Sequence, residues 1–396
     1  MCDVHSALFH GTTDYSNKHE KSAALSQVKG HPLQTFTREN EALTKLIDRM
    51  KELLHDTDET TGSGSLPVDE KQADTGKLPV DEKQVDTGNL PQIAAQLLKI
   101  REVAVHYAKK GDLLYPHLNA RYGIAGPSAV MWTADDEIRD ELGALCKALQ
   151  KGRETAGQNA TGSFQSSQWD VKWLERLQKV LMRAEEMIYK ENHILFPNCA
   201  VNFTEEDWMG IYRDAKDYAD CLGVHGEVWE EAENWLRKEK EAKKTVFKGT
   251  KDSQASVGEE DRAGSNFSDG VIHMPGGHMT IRQLTALLNT IPLEISFIDA
   301  EDRNCYFNEG PKVFKRAQMA LGRSVFTCHP PKVETMVRRI IGEFREGTLD
   351  RVPVWMDKGG RTMLVTYMAV RDESGEYMGT MELVQDMEFA KEHFGK

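Results

Sequence analysis

Residues Trp173–Pro197 read WLERLQKVLMRAEEMIYKENHILFP. Within them Trp173, Leu177, Val180, Ala184, Met187 and Glu191 recur at alternating steps of four and three. That spacing holds all six on one face of an α-helix, and the seam ends on a carboxylate. Three other segments repeat it: Phe36, Glu39, Leu43, Leu46, Met50 and Leu53; Ile93, Leu97, Ile100, Ala104, Tyr107 and Gly111; and Met131, Asp135, Ile138, Leu142, Leu145 and Leu149. Four such seams predict an antiparallel four-helix bundle. By this count His106 and Glu186 fall off their helices' apolar seams. His117, following Pro116, is expected at the surface.

The 396 residues suffice for two or three domains. With 63 acidic against 50 basic residues the net charge is −13, which argues against a nucleic-acid partner. Apolar runs are short and charge-flanked, so no membrane span is expected. The opening MCDVHSALFHGTTDY has neither a basic start nor a long apolar run, and no signal peptide is expected. Six cysteines without a CxxC pair fit a reduced cytoplasm better than a disulfide framework.

Two polar stretches read as connectors. Residues 57–89 contain the tandem units LPVDEKQADTGK and LPVDEKQVDTGN, too polar to build a core and too few for a solenoid. Lys248–Gly270, KGTKDSQASVGEEDRAGSNFSDG, has a linker's composition. Beyond it LEISFID, NCYFN, VPVWM, RTMLVTYMAV and EYMGTMELVQ read as strands. One amphipathic helix carries Val333, Met336, Val337, Ile340, Ile341 and Phe344. The joins DKGG and DESG predict hairpin turns. The result is an α+β module with an antiparallel sheet.

Three seams carry one carboxylate each: Glu39, Asp135 and Glu191. Buried carboxylates either coordinate metal or meet cations, and inward-facing carboxylates and histidines on facing helices build non-haem di-metal sites. Mixed O and N ligands suit iron or manganese. The alternatives are that the seam ends reach solvent, or that Arg or Lys neutralises each carboxylate.

The strings GHPLQTFTRENEAL, HYAKKGDLLYPHLNARYGIAGPSAVMWTADDEIR and EEMIYKENHILFP resemble a bacterial family with a hemerythrin-like HHE cation-binding bundle. The likeness covers about His31–Pro197. The stretch Thr280–Met387, with CHPPK and the strand meander, resembles the PAS domain that follows such bundles. Cys2–Phe9 matches a further family string, usually preceded by another helical segment, so the start reads as abbreviated and His5 loses its usual context. The resemblance implies residues 1–30 as a remnant of that segment, 31–245 as the bundle with an insertion at 57–89, 246–279 as linker and 280–388 as a PAS domain with a five-stranded sheet.

Carried over by position, the resemblance implies His31, His106 and Glu191 as metal ligands, with Glu186 as a further candidate; Glu39 and Asp135 join them from the seams. Gly111 stands where the family has Glu, which leaves the metal count open between two irons, one and none. In the PAS domain Cys328 and His329 are candidates for ligand or haem contact; the other reading is that HPP simply shapes the start of a helix. Taken together, a cytoplasmic, non-enzymatic sensor is expected, with a small-molecule or gas ligand, a homodimer through the PAS domain and an unidentified signalling partner. A scaffold protein with a dead metal site and a di-iron enzyme acting on oxygen or nitric oxide species are the other readings.

Overall fold

A computed structural model of the chain describes residues 15–60, 90–124, 126–158, 171–248, 270–310 and 312–395. The Cys2–Phe9 string with His5, the tandem repeat and residues 249–269 of the linker lie outside the described residues. Two compact units emerge. The first comprises the described residues of Met1–Lys110, Gly126–Phe203 and Ala219–Glu227; the second comprises those of Gly111–Ala125, Thr204–Tyr218 and Val228–Lys396.

The helices run in chain order as α1 (Tyr15–Ser26), α2 (Pro32–Thr60), α3 (Leu90–Arg101) and α4 (Val103–Lys109). A π-helical turn, Lys110–Leu114, leads into α5 (Tyr115–Tyr122), followed by α6 (Gly126–Gln158) and α7 (Val171–Lys190). A second π turn, Glu191–Leu195, leads into α8 (Phe196–Asn202), then α9 (Glu205–Ala215) and α10 (Glu230–Lys248).

In the first unit α2 packs on α3 and α7, and α6 packs on α3 and α7. That closes a ring of four helices. Its core is the set that the seams specify: Leu43, Met50, Leu97, Ile100, Ile138, Leu142, Leu177 and Val180 are all buried. The helices do not stay regular, however. Glu102 interrupts α3 and α4 with i→i−3 bonds, Glu102 N to Lys99 O at 3.1 Å and Val105 N to Glu102 O at 3.0 Å. This shift of phase, followed by the π turn, explains why His106 is buried although a uniform helix places it off the seam.

The second unit contains strands β1 (Val271–Met274) and β2 (Gly277–Thr280), helix α11 (Ile281–Thr290), β3 (Glu294–Asp299), β4 (Asn304–Phe307), helix α12 (Pro331–Glu346), β5 (Arg351–Lys358), β6 (Arg361–Arg371), β7 (Tyr377–Asp386) and α13 (Glu388–Phe394). The pair β1–β2 forms a hairpin within the stretch read as linker. The other five strands make an antiparallel sheet in the order β4-β3-β7-β6-β5. Gly359, Gly360 and Gly375 supply the positive φ of the two expected hairpin turns. Pro353 is tolerated because β5 is an edge strand. Helix α12 packs on β6 and β7, and its Val337 and Ile341 meet Ile298 and Val325 in a core cluster.

At Gly379 the backbone has φ +150°, and a Cβ there would stand 2.1 Å from the Ile298 carbonyl oxygen and 2.9 Å from the Phe297 ring. Gly379→Ala is therefore expected to pry β7 from β3 and cost roughly 2 kcal/mol or more. Amide hydrogen exchange checks this: protection should fall along β3 and β7 and stay unchanged in α6 and α7.

Candidate functional site

Two of the bundle helices, and the segments that continue the other two, deliver ionic groups to a single buried point. Glu39 comes from α2, His106 and Lys109 from α4, Lys110 from the π turn, Asp135 from α6 and Glu191 from the second π turn. His106 lies between two carboxylates, with Nδ1 2.7 Å from Glu39 Oε2 and Nε2 2.9 Å from Glu191 Oε2. The Lys109 ammonium donates to Glu39 Oε1. The Lys110 ammonium donates to Glu191 Oε1 and, at 2.9 Å, to Asp135 Oδ1. Cys221 Sγ lies 3.4 Å from Glu39 Oε1, and burial with the Glu39 charge pushes its thiol up to about 12.

The lysines are held there by more than charge. Lys110 is fully buried, its ammonium 4.4 Å from the centre of the Tyr107 ring. The Lys109 ammonium stands 5.6 Å from the Phe36 ring centre. Aromatic faces so placed stabilise a desolvated cation. Burial by itself would depress the His106 imidazole, but Glu191 and Glu39 outweigh it and raise its pKa. Burial would raise Glu39 and Glu191; His106 and Lys109 reverse this for Glu39, and Lys110 and His106 hold Glu191 down at about 2. Three acidic side chains thus face two lysines and one histidine.

His31, Glu186 and the nearby Asp112 make other contacts. His31 accepts the Leu33 N–H at Nδ1 (3.1 Å) where α2 begins, and burial depresses its pKa to about 3. Glu186 is exposed and pairs with Lys190 at 2.6 Å. Asp112 accepts from Tyr218 Oη at 2.5 Å.

The two lysines were not anticipated as site residues, although the sequence held a signal for one. Lys110 and Glu191 each open a five-residue π turn and each stand six residues before a proline, Pro116 and Pro197. Aligning KKGDLLYP with YKENHILFP on those prolines sets Lys110 opposite Glu191. Within this motif Lys110 stands next to Gly111, the position where the resemblance implies a Glu.

In the second unit two polar clusters stand out. His117, expected at the surface, is only 3% exposed. Its Nδ1 accepts from Arg323, and its Nε2 lies 2.8 Å from Asp207 Oδ1. Asp207 also receives Arg121 and, at 2.8 Å, the Tyr122 hydroxyl, while forming a capping box with Thr204 at the start of α9. Tyr115 and Pro116 start a fresh helix that turns His117 inward, which a uniform reading past Pro116 misses.

The second cluster lies on the sheet. Ser296, Glu382 and Tyr367 are cross-strand neighbours in register on β3, β7 and β6. Arg316 donates to Glu382 Oε1 at 2.7 Å and stands 3.9 Å from Glu294 Oε2. Burial and the Glu382 charge raise the Tyr367 phenol above its ordinary value. Ser296 Oγ and Arg316 Nε are buried with no hydrogen-bond partner among the described residues. Arg316 also borders a cleft of about 410 Å³, whose lining includes Arg213, Asp217, Lys312 and Lys315. Cys328 and His329 sit at the start of α12, where His329 Nδ1 lies 2.8 Å from the Val325 carbonyl and Cys328 receives Asn304 at 3.5 Å.

Residues 31–199 match the family model of the hemerythrin HHE cation binding domain, and residues 284–388 match that of a PAS domain. The chain is a hemerythrin HHE domain followed by a PAS domain. None of the curated proteins compared with it matches. Among solved structures, a C-terminal domain from Streptococcus mutans is 35% identical, covering 31% of this chain and 97% of its own, with a TM-score of 0.30. A sensory box sensor histidine kinase from Vibrio cholerae is 12% identical, covering 26% and 89%, with a TM-score of 0.21. A PAS domain from Colwellia psychrerythraea is 14% identical, covering 27% and 95%, with a TM-score of 0.22.

HHE domains generally bind iron, so the bundle's donor set has to be tested against that ion. The oxygen and nitrogen types suit it. The charges do not: each carboxylate already carries an ammonium, and both imidazole nitrogens face carboxylates. Repulsion between a divalent ion and an ammonium in such surroundings is on the order of several kcal/mol. Among the described residues no group of three or more His, Cys, Asp or Glu is disposed to hold a metal ion. The HHE centre of this chain does not fit a metal as it stands.

The His117 cluster makes a prediction about acid stability. Burial, then the Arg323 charge, depress the imidazole to about 4, against which Asp207 acts weakly. The unfolded chain, with an ordinary value near 6.5, binds a proton that the native state refuses between those limits. Stability is therefore expected to fall by roughly 1–3 kcal/mol as pH drops from about 6.5 to 4. Urea unfolding at stepped pH checks it, and His117→Gln should flatten that part of the slope.

Proposed function

We propose that this protein is a cytoplasmic, non-catalytic sensory protein whose PAS domain takes a small polar ligand and whose HHE bundle serves as a scaffold. The observation that carries the reading is a pair of buried polar atoms at the PAS sheet that make no hydrogen bond among the described residues, Ser296 Oγ and Arg316 Nε. Leaving such groups unpaired costs on the order of 1–3 kcal/mol each, which a ligand bearing an acceptor can recover. Glu382 fixes the Arg316 guanidinium through one nitrogen, while Nε makes no hydrogen bond among the described residues and has only the Glu294 carboxylate within ion-pair range, at 3.9 Å. Dimerisation through the PAS domain, and output through a signalling partner, complete the reading.

The lysine-filled bundle supports a scaffold role over a di-iron enzyme acting on oxygen or nitric oxide, since open metal positions are what such chemistry needs. No helix among the described residues is long and apolar enough to cross a membrane.

The test is extraction of small molecules from the full chain purified from its producing cells, followed by mass spectrometry. A compound present near one per chain, and reduced about ten-fold in Ser296→Ala at unchanged melting temperature, is the expected outcome. If the wild-type extract matches that of an unrelated control protein, the ligand reading fails.

A further inference from the structure

We infer that Lys109 and Lys110 supply the positive charge that the buried carboxylates of this HHE bundle need, so that the fold is held by fixed ammonium charges and is independent of iron. The argument starts from placement. In a bundle that gathers Glu39, Asp135 and Glu191 at one buried point, something cationic must stand among them. Lys110 binds Glu191 and Asp135 together, so one ammonium joins α6 to the π turn that follows α7, as a bridging cation would. Lys109 pairs with Glu39 on α2 alone. His106 closes the circuit by touching Glu39 with one ring nitrogen and Glu191 with the other.

The backbone serves this pairing. A π turn begins at Lys110 and another at Glu191, and each advances its first residue into the bundle interior. The residues at these equivalent positions are of opposite charge and pair with each other. A lysine on its own long stem needs no external supply and cannot dissociate. The bundle therefore keeps the shape of a metal-dependent fold and loses its dependence on metal availability.

The experiment uses the full chain produced in iron-supplemented medium and purified without oxygen. Less than about 0.1 metal ion per chain is expected, with a melting temperature that moves by less than about 1 °C on adding EDTA, bipyridine or Fe2+. One or more ions per chain, with a melting temperature that falls on chelation, would overturn the inference. The second arm is Lys109→Met/Lys110→Met, which leaves the carboxylates without ammoniums. Its melting temperature should drop by roughly 5–10 °C and be partly restored by added Mn2+, which should leave the wild type unmoved. A double variant as stable as wild type without added metal would equally overturn it. If that variant does not fold, the wild-type metal content and chelator response decide alone. Lys110→Arg, which keeps the charge, should remain folded and metal-free.

Discussion

A fully buried lysine bound to two carboxylates is the constraint around which the first unit is arranged. Lys110 lies between Glu191 and Asp135, and both carboxylates are buried. Removing one partner of such a group strands the others as uncompensated charges, typically at a cost of about 3–5 kcal/mol. The same interaction fixes relative helix position, because the ammonium can serve both carboxylates only when α6 and the turn after α7 present them together. The aromatic face of Tyr107 then completes the surroundings of the cation. Packing of Leu, Ile and Met seams supplies most of the driving force for the bundle, but it is non-directional. The ionic centre supplies the direction.

The helical irregularities follow from this need. A uniform α-helix from Ile93 onward would carry Ala104 and Tyr107 inward and leave His106 to one side. The break at Glu102 and the π turn at Lys110 bring His106, Tyr107, Lys109 and Lys110 all into the interior. Four of the five positions from 106 to 110 face one site only because the backbone departs from the 3.6-residue period. A metal centre and a lysine centre can share such a scaffold, since both answer the same demand for positive charge among buried carboxylates.

The PAS sheet shows a different balance. Its apolar cluster against α12 is conventional, whereas the Arg316, Glu382, Tyr367 and Ser296 group places polar atoms on a buried sheet face. Cross-strand register makes this possible, by stacking Ser296, Glu382 and Tyr367 side by side. The acid-sensitive cluster around His117 and Asp207 is built likewise, from segments far apart in sequence.

Much of this was legible in the sequence. Alternating steps of three and four in Trp173–Glu191 and its three counterparts specified the bundle and its core, because apolar periodicity maps directly onto a helical face. The strand alternation and the glycine turns DKGG and DESG specified the hairpins of the sheet. The family motifs pointed to Glu191 and His106, and the seams to Glu39 and Asp135, as groups of one centre. What the sequence did not decide was which cation meets them, since periodicity counts assume a regular helix. Only the tertiary structure, through one interrupted helix and two π turns, turned those lysines inward and gave the carboxylates their partners.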